Sequence, residues 1–472
     1  MSFACAAVRE NGLPASLSAA ALWLLLFAAY AATLGLDAFG DSDYGGDEPH
    51  YLLAAKSVID DGDLDVRDEY RDRSFAGFYP HELDRHGVET GGRLHEPHGA
   101  GLPLLIAPAH ALGGEIGVEL FLAGLLALAG ALAYGLARRV APDPWAWGAT
   151  LALGLSAPLL SYGTAVYPEG AAAAALAGAA LLALRLEDGV TRRGAIGCFA
   201  LLALLPWLGV KFLPAAVVIG YAAARALWRA RRRVLALVGV EVVGFSLALL
   251  VRINLVLYEG ATPYAAGPPG ETGTGAGSAG DYLERAYRLI ALLIDRDYGL
   301  LRWAPVLALA GVGLWMLIRA RKEHLVRAIP TRRAAESAAA LCAAALGAQL
   351  VVAAFLAPTM FGFWFPGRQL VAALPLAIPL VAWGLRRLPR LGTALALVGV
   401  AASAWLHLDV RLGDGGLAAG RPDAPLGPLT GALPLFDRST LPYVVAAALG
   451  IAVAVLLALG ARQPREPARV PG

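Results

Sequence analysis

The sequence predicts an all-α integral membrane protein with about twelve transmembrane helices, each near the 20 apolar residues that a crossing requires. Three observations carry that reading. Of 472 residues, 58% are hydrophobic and only 16% are charged, whereas soluble domains average about 25% charged residues. Mean hydropathy is +0.59. Arginines gather in short clusters between the apolar runs, as the cytoplasmic turns of membrane proteins do. The net charge of +2 excludes a strongly basic nucleic-acid binder. Cys5, Cys198 and Cys342 show no paired spacing, which argues against a disulfide framework and a cysteine metal site. Lys56, Lys211 and Lys322 are the three lysines among 39 basic residues. With abundant alanine and glycine, that arginine bias points to a GC-rich bacterial genome and so to a bacterial inner (cell) membrane.

The first apolar run, Leu17 to Leu36, follows Arg9 and has no small-residue cleavage site before Asp37, so it reads as an uncleaved signal anchor. A long outer loop, residues 37–117, follows and carries juxtamembrane helices. Further spans are expected at 118–137, 144–161, 168–186, 194–209, 212–228, 234–257, 298–318, 334–357, 368–385, 390–406 and 441–461, with 194–228 the hardest stretch to divide. With the N-terminus inside, the inner turns carry Arg138-Arg139, Arg185 with Arg192-Arg193, Arg225 to Arg233, Arg319 to Arg333, Arg386 to Arg390 and the tail from Arg462. These turns hold most of the basic residues. Residues 99–113 are apolar but short, and counting them as a span would invert every later loop. They read as a re-entrant or surface-lying helix. The expected organisation is therefore a polytopic domain, residues 1–460, and a short cytoplasmic tail, 461–472. A second outer loop spans 258–297, and its Gly-rich stretch Gly267 to Gly280 reads as a flexible connection, with a mobile lid over the outer cavity as the alternative. No internal repeat is evident.

This topology gathers the loop 37–117, the turn Tyr167-Pro168-Glu169, Lys211, the loop 258–297 and the turn 358–367 on one face. The most informative stretch there is Asp47-Glu48-Pro49-His50-Tyr51. Asp47 can cap the helix that follows, with Pro49 in its first turn. Tyr51, Leu52, Ala55, Val58 and Ile59 then share one face at helical spacing. Carboxylates at that water–membrane edge can accept a proton from an attacking hydroxyl or ligate a divalent ion. The plain alternative is a cap and a solvated first-turn acid. Glu48-Pro49-His50 recurs as Glu96-Pro97-His98, and His50, His95 and His98 share the loop. A divalent metal on Asp47, Glu48 and His50 stays open, since imidazole with carboxylate suits zinc or manganese. Acids at Asp61, Asp63, Asp65, Glu69 and Asp72 imitate a calcium loop, but Val66 stands where its glycine belongs, so this stretch reads as a solvated turn. Glu241 and Arg252 are ionisable residues inside an expected span, Arg252 near its outer end.

An Asp-Glu pair at the outer end of the first span, followed by a juxtamembrane helix, resembles the GT-C superfamily of membrane glycosyltransferases. Protein O-mannosyltransferases and lipid A aminoarabinose transferases belong to it. His98-Gly99-Ala100-Gly101-Leu102-Pro103-Leu104-Leu105 looks like the segment closing the first loop. Pro206-Trp207-Leu208-Gly209-Val210-Lys211-Phe212-Leu213-Pro214 resembles the lysine-containing segment of bacterial members. Tyr298-Gly299-Leu300-Leu301-Arg302-Trp303-Ala304-Pro305 and Gly367-Arg368-Gln369-Leu370 resemble later stretches, and the likeness extends to about residue 385. Where the aminoarabinose transferases carry Lys-Pro-Pro-Leu, this chain has Glu96-Pro97-His98, a departure from that sub-family's pattern. No C-terminal outer domain is expected.

The resemblance implies transfer of a sugar from a polyprenyl-phosphate donor to a hydroxyl of a glycan, lipid or protein on the outer face, with inversion. Asp47 is then the general base or metal-proximal acid, supported by Glu48. A departing lipid phosphate needs cations at the membrane edge, and Lys211 and Arg368 are the candidates. Snorkelling to the headgroups is the plain reading of both. Glu169, His50 and His98 complete the substrate-binding set, although an acid at a helix N-terminus, such as Glu169, is favoured by the dipole alone. A polytopic transporter or lipid flippase is the rival reading. It expects ionisable groups at the midplane, whereas this chain concentrates them at span ends.

Overall fold

The computed structural model describes residues 15–39, 42–266, 274–320, 330–413, 415–417, 431, 433–436 and 440–462. The first half of the Gly-rich stretch, the centre of the Arg319–Arg333 turn and the tail beyond Arg462 lie outside the described residues.

The chain opens with α1 (Ala15–Ala31) and then an outer segment with α2 (Glu48–Asp60), α3 (Arg67–Arg71) and a hairpin of β1 (Val88–Thr90) and β2 (Arg93–His95). The hairpin turns on Gly91-Gly92, both at positive φ (59° and 75°), the backbone that a tight two-residue turn demands and glycine supplies without strain. It pairs Val88 with His95 and Thr90 with Arg93. There follow α4 (Gly101–Ala137), α5 (Trp145–Gly154), α6 (Pro168–Asp188), α7 (Arg192–Leu208), α8 (Leu213–Arg229) and α9 (Arg233–Leu257), then helices including Ala308–Ala320, Pro330–Val351, Ile378–Arg387, Pro389–Leu412 and Thr440–Arg462.

Among the described residues, six helices are long and apolar enough to cross a membrane, with three shorter apolar helices beside them. Hydropathy reads continuous runs, and several of those runs are broken by proline, which cannot donate a helix hydrogen bond and crowds the preceding turn. The 298–318 run is Leu300–Trp303, Pro305–Leu307 and Ala308–Ala320. The 368–385 run is Arg368–Val371, Leu374–Ala377 and a helix beginning at Ile378. Residues 99–113 are helical from Gly101, as expected. They form the first arm of α4 and meet the second arm at Gly114, whose non-helical backbone (φ 60, ψ −150) kinks the helix.

α6 is the central helix. Its alanine-rich sequence has no bulky ridge, so neighbours approach closely, and 89% of its apolar window is buried, against 17% for α9. α9 instead presents Val234, Leu237, Val240 and Phe245 outward, as a lipid-facing helix does. One core joins α1, α4 and α5 to the 300–309 and 370–385 segments, and a second joins α6, α7 and α8 to residues 338–345. The outer segment has a small core of its own, in which Leu53, Val66, Tyr70, Phe75 and Leu94 pack together.

The start of α4 lies directly against the end of α7. A Cβ on Gly101 would sit 2.0 Å from the Trp207 carbonyl oxygen, with backbone rather than a flexible side chain in the way. Gly101→Ala should therefore cost about 1–3 kcal/mol of stability. A thermal size-exclusion assay in detergent should show it as a clear drop in midpoint. Gly77→Ala, with nothing within 4 Å of the added Cβ, should leave the midpoint unchanged or raise it.

Candidate active site

Four charged groups from four separate segments meet where α2, α6 and α8 begin. Asp47 immediately precedes α2, Glu169 stands in the first turn of α6, Lys211 lies in the short turn between α7 and α8, and Arg368 starts the helix Arg368–Val371. Arg368 Nη2 lies 2.7 Å from Asp47 Oδ2, and its Nε donates to Glu169 Oε1 at 3.2 Å. Lys211 Nζ donates to the same Glu169 oxygen at 2.6 Å. Two cations and two carboxylates make a formally neutral set, the arrangement in which charges tolerate burial. The guanidinium also sits over the rings of Tyr167 (4.0 Å) and Trp364 (4.9 Å), in cation–π contact. Gly367 places it there at φ +90°, where a Cβ would meet a Leu300 methyl at 2.5 Å.

Exposure separates the roles within this set. Glu169 and Arg368 are 0% and 6% exposed, while Asp47 and Lys211 keep 23% and 21% of their side chains open. A ligand therefore meets Asp47 and Lys211 first. Glu169 Oε2 is buried without a hydrogen-bond partner. Burial raises the Asp47 carboxyl, but Arg368, with smaller help from His98 and His50, outweighs it and holds Asp47 well below the usual carboxylate range.

Asp47 does not cap α2 with its side chain, contrary to the sequence expectation, because Arg368 takes the carboxylate. Its neighbour Glu48 points elsewhere. Glu48 Oε2 accepts from Gly45 N–H at 2.9 Å and Oε1 from Val166 N–H at 2.7 Å, which clamps the turn before α2 to the strand-like entry of α6. Burial pushes Glu48 up to about 8, against the pull of those two donors. The first half of α2 is buried all round, and Ile59 near its far end is exposed.

A wall of histidines adjoins the acidic pair. His50 Nδ1 lies 3.0 Å from Tyr70 Oη and 3.3 Å from Glu96 Oε1, while the Tyr70 hydroxyl donates to that carboxylate at 2.7 Å. His86 stacks on His50 at 4.3 Å, and His98 lies 5.6 Å from His50 and 5.3 Å from Tyr51. Burial raises Glu96, but His50 overrides it and keeps the carboxyl below its ordinary value. Burial lowers His98, against the pull of Asp47 and Glu96. Glu96 Oε2 and His98 Nε2 are buried without hydrogen-bond partners, two polar atoms suited to a hydroxyl-rich ligand. His95 turns away to the Leu64 carbonyl at 2.9 Å.

Asp47, Glu48 and His50 are thus directed at Arg368, at backbone N–H groups and at Tyr70–Glu96 respectively, and do not converge on one point. Tyr167, Trp364, Tyr70, His86 and Glu96 were not singled out from the sequence as site residues. Tyr167 is adjacent to Pro168-Glu169, and Trp364 lies in an aromatic run that reads equally as an interface belt. A small, open cleft nearby is lined by Glu48, Tyr162, Tyr167 and Trp364, among others, and so shares the two rings that flank Arg368.

Arg368→Ala leaves Glu169 and Asp47 without that cation and should cost about 3–5 kcal/mol in folded stability. Arg368→Lys keeps the charge but loses the planar fork and should cost less, as thermal midpoints would show. Glu48 gives a pH signature. Its folded value, about 8, is raised above the unfolded value of about 4.3. Its stabilisation is therefore complete below the unfolded value and is lost as pH rises through about 8. Between pH ~5 and ~9 the stability of wild type should fall relative to Glu48→Gln, measured by thermal unfolding across that range.

Neither a family model nor a curated protein matches the chain by sequence. Among solved structures, it is similar to ArnT from Cupriavidus metallidurans in the apo state. The TM-score is 0.52 at 17% identity, over 94% of this chain and 71% of that one. The same protein bound to undecaprenyl phosphate aligns over the same shares, with a TM-score of 0.46 and 14% identity. The likeness is one of fold: over 94% of its length the chain follows the fold of ArnT.

Proposed function

We propose that this chain is an integral-membrane glycosyltransferase. It takes a sugar from a polyprenyl-phosphate donor and transfers it to a hydroxyl of a glycan, lipid or protein acceptor on the outer face of a bacterial inner membrane. The observation that carries the reading is the buried meeting of Arg368 and Lys211 with Asp47 and Glu169 at the start of three helices. The twelve-crossing topology, with both termini cytoplasmic, the loops 37–117 and 258–297 outside and a cytoplasmic tail from residue 461, belongs to the same proposal.

The chemistry follows from the charges. The donor phosphate arrives with one negative charge and leaves with a second, so the site must stabilise charge that develops during the reaction. Lys211 meets the phosphate as a point charge and Arg368 as a fork. As the phosphate takes the guanidinium, Asp47 loses the partner that holds its proton affinity down, and becomes a stronger base when donor is present. Asp47 then accepts the acceptor hydroxyl proton as that oxygen bonds to the anomeric carbon. The bond from that carbon to the phosphate oxygen breaks on the opposite face, which gives inversion and frees polyprenyl phosphate. Glu48 holds the turn that aims Asp47. His50 and His98, with Glu96, bind sugar or acceptor hydroxyls. A divalent metal is not required by this sequence of events.

The test uses purified protein in lipid nanodiscs with a panel of polyprenyl-phosphate sugars and envelope extract as acceptor, following free polyprenyl phosphate by mass spectrometry. Wild type should release it, and Asp47→Asn should lose about 10²-fold or more, the range for a general base. Full activity in Asp47→Asn would remove Asp47 from the chemistry. No release from any donor, combined with substrate counterflow in proteoliposomes, would favour the transporter.

A further inference from the structure

Beyond the site just described, the outer segment brings together a second group of acids. Asp61 follows the end of α2, and Asp68 and Glu69 open α3, and the three present carboxylate oxygens within 4.8 Å of one another. These are the described groups of three or more His, Cys, Asp or Glu that meet this closely. Such a cluster alone is an ordinary surface feature, and Asp61 is indeed exposed. Glu69 makes this one different. It is 3% exposed, its carboxylate lies among the other two, and its Oε2 is buried with no hydrogen-bond partner. A buried acceptor without a partner costs free energy unless something fills its coordination.

The nearby cations are committed elsewhere. Arg67 binds Asp65 through Nε and Nη2, at 3.0 and 2.7 Å, and Arg71 binds Asp72 at 2.8 Å. Three carboxylates this close together repel one another when ionised. A hard divalent ion relieves all three charges and takes oxygen ligands without needing nitrogen or sulfur.

We infer that Asp61, Asp68 and Glu69 form a divalent cation site of the calcium class, completed by water. It joins the end of α2 to the start of α3. The next residue after Glu69 is Tyr70, whose hydroxyl bridges His50 and Glu96. The cation thus braces the outer wall of the candidate active site from outside it, and Asp61, Asp68 and Glu69 are positioning residues rather than catalytic ones. The ligand set differs from the calcium-loop pattern in the sequence. Asp63 and Asp65 instead accept hydrogen bonds from loop backbone and from Ser57 and Arg67.

The experiment is equilibrium dialysis of radioactive Ca²⁺ alone against the full chain in phosphatidylcholine nanodiscs, with empty nanodiscs as the blank. Wild type should take up one Ca²⁺ per chain with a Kd of about 10⁻⁴–10⁻³ M, the range of extracellular calcium modules. Asp61→Asn and Glu69→Gln should each weaken binding about ten-fold or more, since each removes one charged ligand. Asp61 is exposed, so its variant keeps the fold and decides the matter should Glu69→Gln misfold. Ca²⁺ should also slow tryptic cleavage after Arg67, Arg71 and Arg73 in wild type and not in Asp61→Asn. No saturable binding above the blank up to about 10 mM, ten times the weak end of that range, would overturn the site. So would equal binding by wild type and Asp61→Asn. Neither readout depends on transferase activity, so failure here is separable from failure of the proposed function.

Discussion

The burial of Arg368 is the constraint around which the rest of this site is arranged. A guanidinium 6% exposed within an apolar bundle is tolerable only where counter-charges and ring faces replace water. The chain supplies Asp47, Glu169, Tyr167 and Trp364 from three widely separated segments, each ending or beginning at that point. The irregular backbone of the bundle gathers here as well. Gly367 turns at positive φ, Lys211 lies in a short turn between helices, and the 368–385 segment is broken into short pieces. Continuous helices would project these side chains at fixed 100° steps and could not bring four charges onto one Arg-centred cluster. Broken helices bordering a polar site are also the irregular backbone that membrane proteins tolerate, because it is shielded from lipid.

The adjacent acids divide the work because they sit one residue apart at a helix start. Neighbouring residues on a helix do not face each other, so Asp47 meets Arg368 while Glu48 meets the backbone of Gly45 and Val166. One carboxylate belongs to the charge network and the other fixes the turn that presents it. Their titration differs accordingly, with Asp47 held low by a cation and Glu48 raised by burial. The outer segment adds a different kind of order. Its small core around Tyr70, Phe75 and Leu94 behaves like a miniature soluble domain, and a core this small gains from additional ties. The Tyr70–Glu96–His50 bonds are such ties, and they run directly into the candidate site.

The membrane class, the helical fold and the concentration of charge at span ends were legible in composition and patterning, because a bilayer imposes length, hydropathy and arginine bias on any chain that crosses it. Asp47, Glu48, Glu169, Lys211 and Arg368 were individually legible for the same reason, since charges next to apolar runs stand out. Tertiary structure alone decided that Lys211 and Glu169, 42 residues apart, share an oxygen with Arg368, 199 residues beyond Glu169. It also decided that Asp47 leaves its capping role and that His95 turns away while Glu96, His86 and Tyr70 close around His50. Hydropathy cannot register proline breaks inside an apolar run, so the 298–318 and 368–385 segments look continuous in sequence and are segmented in space. Periodicity assigns a residue to a helix face, but which partner meets that face depends on contacts between distant segments, and those exist only once the chain has packed.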